Sequence, residues 1–181
     1  AMTRDRRAWI IGGIGALAAA AGALSAWRRQ SPPVATAMAA PDAKGLWQLR
    51  FERPEGGELV MEQWRGKPLL INFWATWCPP CIQELPEISR FAMEFAQQGG
   101  RVLGLAVDRP EAVRTFLERM KLDFPVAMAG MDGTDLIHQL GNLQGALPYS
   151  VMLDAQGELR HRKMGQTHLD ELQRWAATLR H

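Results

Sequence analysis

At 181 residues the chain has room for one domain and an appendage, and with 47% hydrophobic residues it can build a real core. Five arginines against Asp5 put a net +4 in the first 30 residues, so the formal +2 of the whole leaves −2 for the rest. That remainder carries no basic patch, which excludes the phosphate-neutralising surface of a nucleic-acid binder.

The chain opens Ala1-Met2. Translation starts at Met, so Ala1 is expected to be a leftover residue and is set aside. From Ala8 to Trp27 runs an uncharged apolar stretch of 20 residues. As a helix it would span about 30 Å, the thickness of a bilayer's hydrocarbon core. Trp9 and Trp27 stand at its edges and basic residues flank both ends, slightly more before it than after it. That pattern predicts one transmembrane helix over residues 8–27 with its amino terminus in the cytoplasm. A cleavable signal segment competes, because Ala35-Thr36-Ala37 and Ala37-Met38-Ala39 resemble cleavage sites. Arg28 and Arg29, directly after the apolar run, favour an uncleaved anchor. Either reading exports the rest of the chain, and a buried core helix fits poorly because a linker comes next rather than a packing partner.

Residues 30–45, rich in Pro and Ala, read as that linker. A domain is predicted over 46–181. LWQLRF (46–51) alternates like a strand and is expected to form an amino-terminal hairpin with LVM (59–61) across Gly56-Gly57. PLLINFWA (68–75) reads as a strand buried on both faces, and a long helix is predicted from Pro79. Next come a strand over 102–107, a proline-opened helix over 110–121 and a short strand over 124–129. A helix over 132–140 ends at Gly141, a hairpin spans 149–164 and a helix closes over 168–179.

The chemistry concentrates in one string, LLINFWATWCPPCIQELP. Cys78 falls where a buried strand turns into a helix, and Pro79 and Pro80 supply the backbone angle of a helical first turn. Free N–H groups and the positive end of the helix dipole favour a thiolate there, so the Cys78 thiol is expected to ionise below the usual pKa of about 8.5. Cys81, one turn further in, is expected to be more buried and less ionised. One sulfur attacks and the other resolves, as exchange through a mixed disulfide requires.

Other uses of the pair fit less well. A purely structural disulfide closing so short a loop gains little stability. Zinc needs about four ligands and there is no second cysteine pair. His138, His161, His168 and His181 lie singly along the chain and read as surface or cap residues, and no His or Met pattern ties copper to the motif.

Asn72-Phe73-Trp74-Ala75-Thr76-Trp77-Cys78-Pro79-Pro80-Cys81, followed by Glu84, Pro86 and later Leu147-Pro148, resembles the TlpA/ResA family of membrane-anchored bacterial thiol-disulfide oxidoreductases. The resemblance covers residues 46–181. It implies an α/β thioredoxin-like fold with a central mixed sheet and an inserted helix-strand unit near 108–130. It implies a cis peptide bond at Pro148, where composition alone would favour trans. Pro148 would lie against the active site, just before a strand (149–153) whose edge meets the substrate.

Trp77 would line the rim where partners dock, together with Pro79, Pro80 and Leu147, and Glu84 would border the redox pair. Taken alone, a Glu in a first helical turn reads as solvated. Asn72 stands where thioredoxins carry a buried acid, and Asn cannot titrate. Tyr149 departs from the Thr expected after the cis-proline. Pro86 is expected to kink the long helix.

The activity implied is dithiol-disulfide exchange with exported proteins, in the reducing direction. Precursors of cytochrome c or of copper-centre assembly would be the substrates. Electrons would arrive from a membrane donor of the DsbD/CcdA type. Neither an organic cofactor nor a metal is expected, because the cysteines carry the electrons. A disulfide-donating oxidase and a non-catalytic metallochaperone or binding module remain the alternatives.

Overall fold

The structure, a computed structural model, describes residues 43–179. The predicted membrane segment 8–27, the linker up to residue 42 and His181 lie outside the described residues. Among those described, no helix is long and apolar enough to cross a membrane.

The run LLINFW becomes strand β3 (Leu69–Trp74), buried at all six positions. It is the middle of a five-stranded sheet. β4 (Arg101–Ala106) pairs with it in parallel, with Leu69 opposite Arg101 and Trp74 opposite Ala106, and β5 (Val126–Met128) pairs parallel to β4. On the other side β6 (Tyr149–Leu153) runs antiparallel, with Phe73 opposite Tyr149, and β7 (Leu159–Met164) completes the sheet antiparallel to β6. A strand with neighbours on both edges and helices over both faces has no solvated side, which is why β3 reads as a continuous apolar run.

Side chains alternate across the sheet and divide the core in two. Leu69, Ile71 and Phe73 point into one cluster with Leu136 and Ile137 of helix α3 (Gly130–Gln139), with Leu140 that caps it and with Phe51 and Leu59. Leu70 and Trp74 point the other way. They meet Cys81, Leu85, Ile88 and Phe91 of α1 (Pro79–Gln97), Val113 of α2 (Pro110–Arg119) and Leu172 of α4 (Leu169–Thr178). Each large apolar side chain buried this way contributes about 1.5–3 kcal/mol. Asn72, between Leu70 and Trp74, is a fully buried polar residue in the second layer.

The amino-terminal hairpin is shorter than predicted. Only Arg50–Glu52 (β1) and Glu58–Val60 (β2) pair, with Phe51 opposite Leu59. Ala43–Gln48 is a 3-10 helix instead of the start of a strand. Leu46 and Trp47 are both buried although adjacent. A strand would send them to opposite faces, whereas a tight turn can bury both. The inserted unit is present as α2 and β5. Helix α3 starts two residues before its predicted start and ends before Gly141, whose φ of 99° needs no side chain in the way. Pro86 lies inside α1, and the helix continues through it to Gln97.

Candidate redox site

The site is built where β3 ends. Ala75 to Trp77 leave the sheet, the Cys78 N–H donates to the Ala75 carbonyl at 3.3 Å, and Cys78 then caps α1. Its backbone is extended (φ −103°, ψ 100°), and Pro79 and Pro80 fill the first two helical positions, where no N–H is required. The Cys78 sulfur accepts from the Cys81 N–H at 3.4 Å, so a sulfur takes the part that a hydroxyl or carboxylate plays at most helix starts. Cys78 and Cys81 are joined as a disulfide with Cα atoms 5.3 Å apart. Cys78 keeps 4% of its surface exposed and Cys81 keeps none. Trp77 beside them is 65% exposed, and Pro79 and Pro80 are exposed too.

The Leu147-Pro148 bond is cis, as the resemblance implies. Since Tyr149 pairs with Phe73, Pro148 stands beside the carboxyl end of β3, from which the Cys78 loop departs. Leu147 packs against the buried cluster that contains both cysteines. Tyr149 does not widen a groove. It is buried, stacks on Phe73 with ring centroids 6.0 Å apart and donates its hydroxyl to the Leu140 carbonyl at 2.6 Å. That bond ties the two ends of the loop 141–148 together. Inside the loop Asn142 Nδ2 donates to the Ala146 carbonyl at 2.7 Å.

Glu84 corrects the expectation drawn from its helical position alone, for it is wholly buried rather than solvated. It lies one turn after Cys81 on the stripe of α1 that packs on the sheet. Three donors hold its carboxylate. Asn72 Nδ2 reaches Oε1 at 2.7 Å, and the Thr167 N–H and hydroxyl reach Oε2 at 2.6 and 2.9 Å. Burial drives the carboxyl above its ordinary range, because a desolvated charge is penalised. The donors and the positive charge of Lys163 pull it back without cancelling the rise. Asn72 also donates to Ser150 Oγ at 3.0 Å, so the strand amide joins β3, α1 and β6.

Asp108, just after β4, braces the other side of the cysteine loop. Its Oδ2 accepts from the Thr76 N–H at 2.9 Å and from the Thr76 hydroxyl at 2.5 Å, and its Oδ1 accepts from the Arg109 N–H. Burial alone would raise its carboxyl, but these bonds and the Arg109 charge outweigh it and hold it below the usual range.

The sequence reading brought Cys78, Cys81, Glu84, Pro148 and Trp77 into view and missed Asp108, Ser150 and Thr167. Asp108 had a weak signal, a carboxylate between a buried strand and a proline-opened helix. Thr167 had none, because only folding brings it across 83 positions to Glu84. His168 is exposed at the start of α4 and contacts Glu87 at 3.3 Å, while His161 stacks on Trp175. Among the described residues no group of three or more His, Cys, Asp or Glu could hold a metal ion.

Comparison with known proteins agrees with this geometry. Residues 36–162 match the AhpC/TSA family. The thiol-disulfide oxidoreductase ResA of Bacillus cereus is 31% identical over 120 residues, which cover 66% of this chain and 67% of that one. A thiol:disulfide interchange protein of the thioredoxin family from Chlorobium tepidum superposes with a TM-score of 0.65 at 24% identity, over 72% of this chain and 92% of its own, a likeness of fold. A putative thioredoxin from Neisseria meningitidis gives 0.61 at 26% identity, over 72% and 86%. The chain therefore belongs to the AhpC/TSA family, as a thioredoxin-fold thiol-disulfide oxidoreductase of the TlpA/ResA type, and the substrates of such proteins are protein disulfides.

Proposed function

We propose that this chain reduces disulfides in exported proteins from the outer face of a bacterial inner membrane, to which residues 8–27 anchor it. The reading rests chiefly on one observation, a Cys78 that keeps 4% of its surface exposed at a helix start and is joined to a fully buried Cys81. In the dithiol form the Cys78 thiolate, favoured by the helix start, attacks a partner disulfide. A Cys78–partner disulfide forms, and the partner's second sulfur leaves as a thiolate that takes up a proton. Cys81 then gives its proton to the buried Glu84 carboxylate and attacks Cys78 Sγ. The partner's first sulfur leaves, and the Cys78–Cys81 disulfide remains. Trp77, Pro79, Pro80, Leu147 and Pro148 supply the surface on which the partner docks. A membrane dithiol donor of the DsbD/CcdA type returns two electrons. Cytochrome c and copper-centre precursors, with closely spaced cysteines, suit such a reductase.

Cys81→Ala removes the resolving thiol and should trap mixed disulfides. Expressed in the native envelope, it is expected to accumulate Cys78-linked adducts with exported proteins in the membrane fraction. The wild-type pair is expected to stay largely reduced and to become oxidised when the donor is deleted. A pair that stays disulfide-bonded in growing cells whether or not the donor is present would reverse the direction. A soluble product beginning near Met38 would replace the anchor with a cleaved leader.

A further inference from the structure

Asn72 Oδ1 is a fully buried acceptor with no hydrogen-bond partner. Buried polar groups are almost always paired, and an exception asks for a reason. Turning the amide would set Oδ1 against the Glu84 carboxylate oxygen that Nδ2 now meets at 2.7 Å, while the second Nδ2 hydrogen faces Ser150 Oγ at 3.0 Å. The oxygen is left on the sheet face that α1 covers. The apolar neighbours there, Leu70 and Trp74, share their cluster with Cys81, and Glu84 lies one helical turn from Cys81. The Cys81 sulfur is bonded to Cys78 and carries no hydrogen. Asn72 Oδ1 is short of one donor, and reduction creates one on Cys81; Trp74 Nε1, an unpaired donor of the same layer, lies over Gly104 of β4.

We propose that Asn72 Oδ1 is the acceptor for the Cys81 thiol hydrogen, a bond that only the dithiol can make, so that Asn72 biases the redox pair toward its reduced form. The inference rests on the redox reading of the pair. Reduction by glutathione shows the balance. Two glutathione molecules give two electrons and join as a disulfide, the Cys78–Cys81 bond breaks, and two protons end on the two sulfurs. The proton on Cys81 occupies the bond that Asn72 offers. An acceptor left unpaired in one redox state penalises that state. The dithiol is then a milder reductant than the bare motif would be, which directs it to strained or exposed partner disulfides, whose potentials are the higher ones.

The test is equilibration of wild type and Asn72→Leu in glutathione buffers, with the dithiol fraction read by alkylation. The leucine removes the orphan oxygen and should move the equilibrium about tenfold toward the disulfide. An unchanged equilibrium, or a shift toward the dithiol, overturns the proposal.

Should Asn72→Leu fail to fold, the wild type still answers. Asn72 and Asn142 are the two asparagines of the chain, so ¹⁵N-asparagine labelling gives two side-chain amide pairs. Reduction is expected to move the Asn72 pair, and an unmoved pair overturns the proposal. A wild type that glutathione and dithiothreitol cannot cycle would sink the redox function too. A cycling protein with an indifferent Asn72 would sink this inference alone.

Discussion

Glu84 and Thr167, 83 positions apart, are joined by two hydrogen bonds to a single oxygen, from the Thr167 N–H at 2.6 Å and from its hydroxyl at 2.9 Å. This clamp lets a carboxylate stand in the middle of an apolar layer. It does not make the charge welcome there, since burial still raises the carboxyl above its ordinary 4.5.

The first prediction comes from the sign of that shift. A group whose folded pKa is raised contributes stability that is complete below its unfolded value and is lost as pH climbs through the folded one. Wild type should therefore lose stability relative to Glu84→Gln as pH rises from about 4.5 through the raised value. The glutamine oxygen can still accept from Thr167 while the charge is gone. Urea unfolding of the oxidised proteins at a series of pH values measures the difference, and parallel curves would place the Glu84 charge in a solvated setting.

Cys78 caps its helix with 4% of its surface exposed, and Cys81 has none. In the reduced protein, limiting iodoacetamide should modify Cys78 about tenfold faster than Cys81. Peptide mapping reads the ratio. Faster labelling of Cys81 would exchange the roles of the two sulfurs.

The Asp108 brace predicts a different pH response. Its carboxyl is held low, so the stability it lends is present above the unfolded value near 3.8 and drains away as pH falls through the folded one. Asp108→Ala should cost about 2 kcal/mol at neutral pH by freeing Thr76 from a charged acceptor. It should also slow disulfide exchange, because Thr76 is two residues from Cys78. Asp108→Asn, which can still accept one bond, should recover part of both. An alanine variant with wild-type exchange and stability would leave the contact without a role.

Tyr149→Phe deletes one buried hydrogen bond and keeps the stacking on Phe73. It should cost about 1–2 kcal/mol, because the Leu140 carbonyl is left without its donor. The equilibrium with glutathione should not move, since the hydroxyl lies on the opposite face of the sheet from the cysteine cluster. A shifted equilibrium would connect the loop base to the thiols.

The sequence disclosed what has a period or a motif. β3 was legible because both its faces are buried, α1 because a proline pair and an apolar stripe mark it, and the redox pair because so short a cysteine spacing has few other uses. The cis bond at Pro148 and the placing of Glu84 beside the pair were legible only through resemblance. The first strand was misread because Leu46 and Trp47 are both apolar, and no period distinguishes a tight turn that buries two neighbours from the start of a strand. The surroundings of Glu84 were invisible for a different reason. Asn72, Ser150 and Thr167 are common polar residues with no local pattern, and their meaning is fixed only by pairing across the sheet and by the return of the chain after β7.

That return sets an order of events. The cysteines are made well before Thr167, which follows Glu84 by 83 positions, so while that stretch is still emerging Cys78 and Cys81 are an ordinary dithiol in an unfinished polypeptide. Glu84 has no dry layer to enter until β6 has brought Ser150 and the closing segment has brought Thr167. The tuned chemistry is thus a property of the completed molecule, and a chain cut short before residue 167 would keep the whole Trp-Cys-Pro-Pro-Cys string and lose the setting that makes it selective.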